Sequence, residues 1–137
     1  MAVWISIHLS AARKGAAFVY ELSSGGWSNT AILRAQSSSD LYFGGSVACL
    51  QDEATSLLAI GSYGHEADGK KGVGSVYIFE KVIVPDILGW SLQATLTGST
   101  VQYSYFGSAV TIGKIKGSYA TFVSSPGGIK IILIFLF

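Results

Sequence analysis

Charged side chains are scarce in this sequence. Asp, Glu, Lys and Arg make up 12% of its 137 residues, about half of the usual share of about 25%. The formal net charge is only +1. A chain with so little charge has no basic surface that would attract nucleic acid or an anionic membrane. Nucleic acid is therefore excluded as a predicted partner.

Residues that carry chemistry are also few. Cys49 is the only cysteine, so an internal disulfide is impossible. His8 and His65 stand alone, with no His or Cys at metal-ligand spacing, so nothing supports a zinc site. The sequence contains no nucleophile elbow, no phosphate-binding loop of the Gly-x-x-x-x-Gly-Lys type and no paired carboxylates at catalytic spacing. We therefore predict that the chain is not an enzyme.

Long hydrophobic runs are missing as well. The longest, residues 129–137, has nine residues including one lysine, whereas a membrane-spanning helix needs about 20. This length favours a buried strand. Residues 1–9 are apolar but short, with no basic residue before them, and do not resemble a secretory signal. The sequence predicts neither a transmembrane span nor a signal peptide.

Strand-forming residues dominate what remains. Short runs of Val, Ile, Tyr, Phe and Thr alternate with clusters of Gly, Ser and Asp, and no segment has a helical period. This pattern predicts an all-β protein with ten strands. They are expected near residues 4–9, 16–22, 31–35, 45–50, 57–62, 75–80, 91–97, 108–112, 119–124 and 129–135.

An internal repeat organises these strands. Shifting the sequence by 63 places aligns Tyr42-Phe43-Gly44 with Tyr105-Phe106-Gly107, and ten of the 38 positions in 27–64 are identical to their counterparts. Ordinary composition would give roughly two or three. Residues 15–21 match residues 74–80 with a shift of 59, and the four extra residues of the later copy are expected in a loop at 81–89. A unit of about 60 residues that occurs about twice indicates an array.

The repeat unit has the composition of a propeller blade. Four successive strands from Phe43 to about Thr97 are joined by short connections that suit an antiparallel meander. We therefore predict a partial β-propeller of about two and a half four-stranded antiparallel blades. Residues 1–40 hold the later strands of one blade, 41–98 a complete blade, and 99–137 the first strands of a third with a hydrophobic C-terminal strand.

The order of these motifs resembles the FG-GAP repeats of integrin alpha-chain propellers. Phe-Gly-x-Ser-Val-Ala is followed by a strand with a Gly-rich turn, then Gly-Ser-Val-Tyr-Ile-Phe and Trp-Ser-x-x-Ala-x-Leu. The residues that carry the likeness are Phe43, Gly44, Phe106, Gly107, Gly61, Gly64, Gly127, Trp27 and Trp90. The sequence departs from the pattern where Ser62-Tyr63 replaces Ala-Pro and Ser124 replaces Gly.

The resemblance implies a function as well as a fold. It implies a non-catalytic, adhesion-like segment that is extracellular or on the cell surface and binds a protein or glycan. The rest of the propeller would come from further blades of a larger protein or from self-association. Two alternatives remain open: an accessory propeller portion of a larger secreted hydrolase, and a truncated gene product with no independent function. The ligand, the number of blades and the oligomeric state stay undetermined.

Packing explains the repeated aromatic residues better than ligand stacking does. Phe43 and Phe106 are expected to wedge between blades, with the following glycine allowing close backbone approach. Trp27 and Trp90 are expected to cover outer strands with large buried areas. Cys49 stands where the other copy has Ile112, which predicts a buried, inert thiol.

One polar loop is the only weak candidate for a cofactor. In calcium-binding relatives of the FG-GAP family the loop resembles Asp-x-Asp-x-Asp-Gly-x-x-Asp. Here Glu66, Asp68 and Gly69 stand at its second, third and glycine positions, whereas Gly64 and Gly72 replace the outer carboxylates. Two lysines intervene, so a solvated turn is favoured over a calcium site. The stretch Ser-Ser-Ser-Asp that ends at Asp40 is likewise expected to form a solvated loop.

Overall fold

The fold consists of antiparallel strands. The computed structural model describes residues 3–9, 13–85, 87–127 and 132–136, with side chains for 13–85 and 89–127. The strands are β1 Val3–Leu9, β2 Gly15–Ser23, β3 Gly26–Arg34, β4 Phe43–Gln51, β5 Ser56–Ser62, β6 Ser75–Val84, β7 Ile87–Thr97, β8 Val110–Ile115, β9 Ser118–Val123 and β10 Ile132–Leu136. The described residues contain no helix, which confirms the all-β prediction. The predicted start of the last strand, 129–131, lies outside them.

Three sheets follow one another along the chain. The first sheet has the order β1-β2-β3, the middle sheet β4-β5-β6-β7 and the third sheet β10-β9-β8. Every paired strand is antiparallel to its neighbour in sequence. Short connections between consecutive strands produce this meander, because antiparallel strands need no crossover. Within the described residues, no helix has the length and apolarity to cross a membrane.

The sequence repeat is also a repeat of hydrogen-bonding register. Val47 pairs with Ile60 in the middle sheet, and Val110 pairs with Val123 in the third. The β2–β3 and β6–β7 ladders share a bulge at corresponding places, after Val19 and after Ile78. Register fixes which side chains face which side of a sheet. Corresponding residues of the two copies therefore point to corresponding faces of their sheets.

The middle sheet is covered on both faces. Leu58 and Ile60 of β5 pack in one apolar cluster with Ala17 and Val19 of the first sheet. Ala59, between them, packs in a second cluster with Val123 and other residues of the third sheet. Alternate residues of a strand point to opposite faces, so β5 is buried throughout. This explains why its sequence is a continuous apolar run instead of an alternating one.

The Phe-Gly pairs fix the start of β4 and the approach to β8. Phe43 and Phe106 are almost completely buried, and Gly44 and Gly107 both have φ of 86°. This left-handed backbone favours glycine because a Cβ would clash with the backbone. A further contact ties the middle and third sheets, since the Ser46 hydroxyl donates to the Gly107 carbonyl at 2.7 Å. The predicted packing role of both pairs agrees with these positions.

Two predictions about burial are wrong. Trp27 is half exposed, although its counterpart Trp90 packs against the cluster between the first and middle sheets. The face of the first sheet that corresponds to the Trp90 side has no sheet against it in the described part of the chain. Cys49 is exposed, because it lies beyond Val47, the last β4 residue packed in that cluster. Neighbouring atoms still desolvate the sulfur enough to raise the pKa of the Cys49 thiol.

The expected loop at 81–89 is also wrong. The β6–β7 ladder continues to the pair Val84 and Ile87, so the extra residues lengthen the hairpin. The shorter β2–β3 hairpin closes at the pair Ser23 and Gly26. Lys81, which precedes the extension and corresponds to Leu22 in the shorter hairpin, forms a 2.6 Å ion pair with Glu21 of the first sheet.

An ionic contact joins the β4–β5 turn to the third sheet. Asp52 pairs with the Lys114 ammonium and accepts a 3.0 Å hydrogen bond from the Tyr119 hydroxyl. Lys114 and the backbone N–H groups of Ala54 and Thr55 hold the pKa of the Asp52 carboxyl well below its usual range. Lys114 also lies 4.8 Å from the centre of the Tyr119 ring. This group connects the two sheets at the end remote from Phe43.

We predict that Gly61→Ala weakens the stacking of the middle and third sheets. A Cβ on Gly61 would lie 2.1 Å from the Gly107 carbonyl oxygen, which forces the sheets apart. Overpacking of this kind costs about 1–3 kcal/mol. Urea unfolding followed by circular dichroism measures the loss. Gly89→Ala is the control, because a Cβ there meets no atom within 4 Å; equal stability of the two variants would contradict the described packing.

Candidate functional site

Four chain segments meet at one end of the stacked sheets. They are the β3–β4, β5–β6 and β7–β8 loops and the turn after β9. Backbone hydrogen bonds join them: Gly64 N–H donates to Leu41 O at 3.2 Å, Tyr103 N–H to Lys71 O at 2.9 Å, and Gly127 N–H to Ser104 O at 3.1 Å. Each bond crosses from one loop to another. The loop end is therefore one tied assembly.

A groove of about 560 Å³ opens on this assembly. Four tyrosines form most of its aromatic wall, and one acidic and two basic side chains accompany them. The lining residues are Tyr42, Tyr63, Tyr103, Tyr105, Arg13, Glu66, Lys71, Leu41, Gly64, Gly72, Ser108 and Pro126. An aromatic concavity with a few polar groups is the usual form of a binding site.

The tyrosines form a continuous row. Tyr42 and Tyr63 are stacked, with ring centres 4.8 Å apart and planes 8° apart. Tyr63 meets Tyr105 edge-on at 6.4 Å and 68°, and Tyr105 meets Tyr103 at 6.0 Å and 36°. The Arg13 guanidinium lies over the Tyr42 ring, 6.0 Å from its centre. Contacts of this geometry are favourable beyond the area they bury.

The row has free hydrogen-bonding capacity. Tyr103 is 48% exposed and Tyr105 40% exposed. In the described part of the chain, none of the four hydroxyls hydrogen-bonds to another protein group. Desolvation, together with the nearby Tyr42, raises the pKa of Tyr63. A phenol hydroxyl can donate a hydrogen bond as well as accept one.

The backbone beneath the row has an uncommon conformation. Arg13, Tyr42, Tyr103 and Tyr105 have φ of 59°, 59°, 60° and 51°, in the left-handed region that costs a non-glycine residue about 1–2 kcal/mol. The repeat explains three of them, because Tyr42 and Tyr105 are equivalent and Arg13 corresponds to Gly72, with φ of 63°. Backbone bonds hold these positions: Tyr42 N–H donates to Arg13 O at 2.7 Å. Tyr103 has no such structural counterpart.

Two of the four groove tyrosines stand at positions where the two repeat copies differ. Tyr63 stands where the other copy has Pro126, and Tyr103 stands where it has Asp40. The other two tyrosines, Tyr42 and Tyr105, are themselves repeat equivalents. Residues that maintain the array recur in each copy, whereas residues that serve one site need occur once. Sequence reasoning noted Tyr63 only as a departure and missed the groove.

A buried carboxylate supports the stacked pair from below. Asp40 is fully buried; it accepts hydrogen bonds from Ser37 N–H at 3.1 Å and from the Tyr77 hydroxyl, and lies 2.6 Å from His65 Nδ1. Burial, followed by the Asp40 carboxylate, raises the pKa of Tyr77. The prediction of a solvated loop at Asp40 is wrong, because its partners come from distant segments. The network therefore holds the two loops together close to the stacked pair, because Asp40 is two residues before Tyr42 and His65 is two residues after Tyr63.

The repeat-signature glycines let these loops approach each other. A Cβ on Gly64 would lie 2.5 Å from the Tyr42 ring, and one on Gly127 would lie 2.0 Å from the Tyr103 carbonyl oxygen. Real Cβ atoms do not come so close to other heavy atoms. These glycines therefore place the tyrosine-bearing backbone, while Phe43 and Phe106 are buried in the two apolar clusters.

The two weak calcium candidates occupy different settings. Asp68 and Gly69 have φ of 52° and 72°, and Ala67 and Lys70 exchange backbone hydrogen bonds around them. Two positive φ values are typical of a type I′ turn. Glu66 instead lines the groove. The residues that the structure describes contain no group of three or more His, Cys, Asp and Glu side chains placed to hold a metal ion.

Comparison with known proteins adds no identification. No protein-family model matches this sequence, and no curated protein matches it at a significant level. Inference about function therefore depends on the groove and on the sequence resemblance.

We predict that Asp40→Asn destabilises the loop end. Asp40 meets at least two hydrogen-bond donors, the Ser37 amide and the Tyr77 hydroxyl, whereas an amide has one acceptor oxygen. Leaving a buried donor unpaired costs about 1–3 kcal/mol. Urea unfolding measures the change, with exposed Glu53→Gln as the control that removes the same charge.

A double-mutant cycle with Tyr77→Phe isolates the network. Removing the Tyr77 hydroxyl first should reduce the cost of Asp40→Asn, because one donor is then gone. Additive effects of the two substitutions would contradict the described contact.

Proposed function

We propose that the chain is a non-catalytic binding module that holds a protein or glycan partner in the tyrosine-lined groove. In this proposal the three sheets are about two and a half blades of a partial β-propeller. The observation that carries the proposal is the row of four tyrosines, whose hydroxyls have no hydrogen-bond partner among the residues that the structure describes. Its sequence support is the resemblance to FG-GAP repeats, which also supports an extracellular or surface location.

Tyrosine is suited to such a site. It supplies a large amphipathic contact area at low conformational cost, and it is enriched at binding hot spots. Here the rings pack against one another, so they lose little additional freedom when a partner binds. Preorganisation of this kind increases affinity because less entropy is lost on association.

The lining side chains favour binding over catalysis. Ser108 is the only aliphatic hydroxyl among them, and its Oγ pairs with the Ser124 hydroxyl at 2.9 Å instead of with a base. The Asp40 carboxylate beneath the groove is already engaged by several partners. A nucleophile needs an adjacent general base for activation, whereas the hydrogen-bond partner of Ser108 is another hydroxyl.

The sheet stacking supports the propeller part of the proposal. The middle sheet packs the first sheet on one face and the third sheet on the other, as successive blades do. The outward faces of the first and third sheets would then pack against further blades of a longer protein or against another copy. Exposed Trp27 lies where the repeat would place the next contact.

Binding to a defined glycan array and a defined peptide library tests the function. We expect the folded chain to bind members of one of the two sets, and we expect Tyr103→Ala with Tyr105→Ala to weaken that binding at least tenfold. Loss of a hot-spot aromatic typically costs about 2 kcal/mol or more. Biolayer interferometry gives the Kd values.

Trp27→Ala is the matched control, because Trp27 is an equally exposed aromatic residue outside the groove. Binding that survives loss of both tyrosines but not of Trp27 would place the site elsewhere. Failure to bind any member of either set would reject the proposal.

A further inference from the structure

The spacing of the groove tyrosines matches that of an extended peptide. Successive ring centres from Tyr42 through Tyr63 and Tyr105 to Tyr103 are 4.8, 6.4 and 6.0 Å apart. A polyproline II helix rises about 3.1 Å per residue, so one step corresponds to about two residues. The whole row therefore matches a segment of about six residues.

The ring orientations favour a peptide over a sugar. One face of Tyr42 is stacked on Tyr63, and Arg13 lies over the ring as well. The next contacts turn by 68° and 36°, so the row presents edges, hydroxyls and shallow slots. A pyranose ring stacks on a flat, open ring face, whereas proline-rich segments bind in aromatic-lined grooves.

The hydrogen-bonding capacity of the row also matches a polyproline II peptide. A polyproline II segment has no internal hydrogen bonds, so its carbonyl groups need external donors. Proline has no backbone N–H and needs no acceptor in return. The hydroxyls of the four tyrosines, which have no partner within the described ranges, supply donors along the row.

The two basic residues that line the groove lie at opposite ends of the row. The Arg13 guanidinium lies over the Tyr42 ring, and the backbone carbonyl of Lys71 accepts a hydrogen bond from the Tyr103 N–H at 2.9 Å. Among the described residues, neither forms an ion pair. Glu66 is the third charge of the groove. The two end positions are therefore complementary to acidic residues, and Arg in particular pairs well with carboxylates.

We propose that the groove binds a proline-rich peptide of about six residues in the polyproline II conformation, flanked by acidic residues that pair with Arg13 and Lys71. This inference rests on the proposed binding function of the same groove and adds the class of partner to it.

Three synthetic peptides test the chemistry by isothermal titration calorimetry with the full chain. The probe has six prolines between two pairs of Asp. One control replaces the Asp pairs with Lys, and the other replaces the prolines with alternating Gly and Ser. We expect the probe to bind at least tenfold more tightly than either control, because each control removes one of the two complementary features.

Variants then assign the binding to the groove. Lys71→Glu and Arg13→Glu should each weaken the Asp-flanked probe at least fivefold and improve the Lys-flanked peptide. Arg34→Glu is the matched control, because Arg34 is exposed on β3 and does not line the groove; it should change neither affinity. Tyr103→Phe retains the ring and removes one donor, which should weaken the probe severalfold.

The outcomes separate this inference from the function on which it rests. Equal affinity for the three peptides, or the same loss in Arg34→Glu as in Lys71→Glu, would overturn the peptide assignment. Tyr103-dependent binding of a glycan without binding of the probe would also overturn it and would leave the binding module intact. Absence of binding to the three peptides, to the peptide library and to every glycan would reject both.

Discussion

Burial of both faces of the middle sheet is the constraint on which the rest of the structure depends. A single sheet with apolar residues on both sides needs a layer on each side, and β5, which is buried along its whole length, supplies such residues from Leu57 to Ile60. Leu58 and Ile60 contact the first sheet, and Ala59 the third. Burying one large apolar side chain contributes about 1.5–3 kcal/mol. The Phe-Gly pairs then determine how closely the start of each sheet approaches the preceding sheet.

The binding end follows from the same repeated frame. Because corresponding loops emerge at one end of each sheet, they meet and exchange backbone hydrogen bonds. The frame alone provides Tyr42 and Tyr105; Tyr63 and Tyr103, which break the repeat, join them into a row. A stable array and a specific groove are thus encoded by different residues. Gly64 serves both, since it keeps the repeat turn and leaves room for the Tyr42 ring.

Local sequence patterns were sufficient to predict much of the fold but little of the candidate site. The ten strands, their antiparallel pairing and the burial of Phe43 and Phe106 all follow from apolar runs and the repeat. The exposure of Trp27 does not, because it depends on whether another sheet covers that face. Asp40 is buried by partners 25 and 37 residues away in sequence, which a loop composition rich in serine conceals. The groove has no contiguous motif, because five chain segments contribute to it. A tyrosine at a broken repeat position, such as Tyr63, was the one available signal.

Amide hydrogen exchange of the folded chain tests the central claim that the middle sheet is covered on both faces. Exchange requires opening, and opening costs most where the apolar contacts of two clusters must be lost together. The structure predicts that the amides of β5, Ser56–Ser62, exchange most slowly, and that those of β3 and β8, at the edges of the outer sheets, exchange faster. Exchange of β5 as fast as that of β3 and β8 would show that the sheets do not stack in this order and would contradict the account.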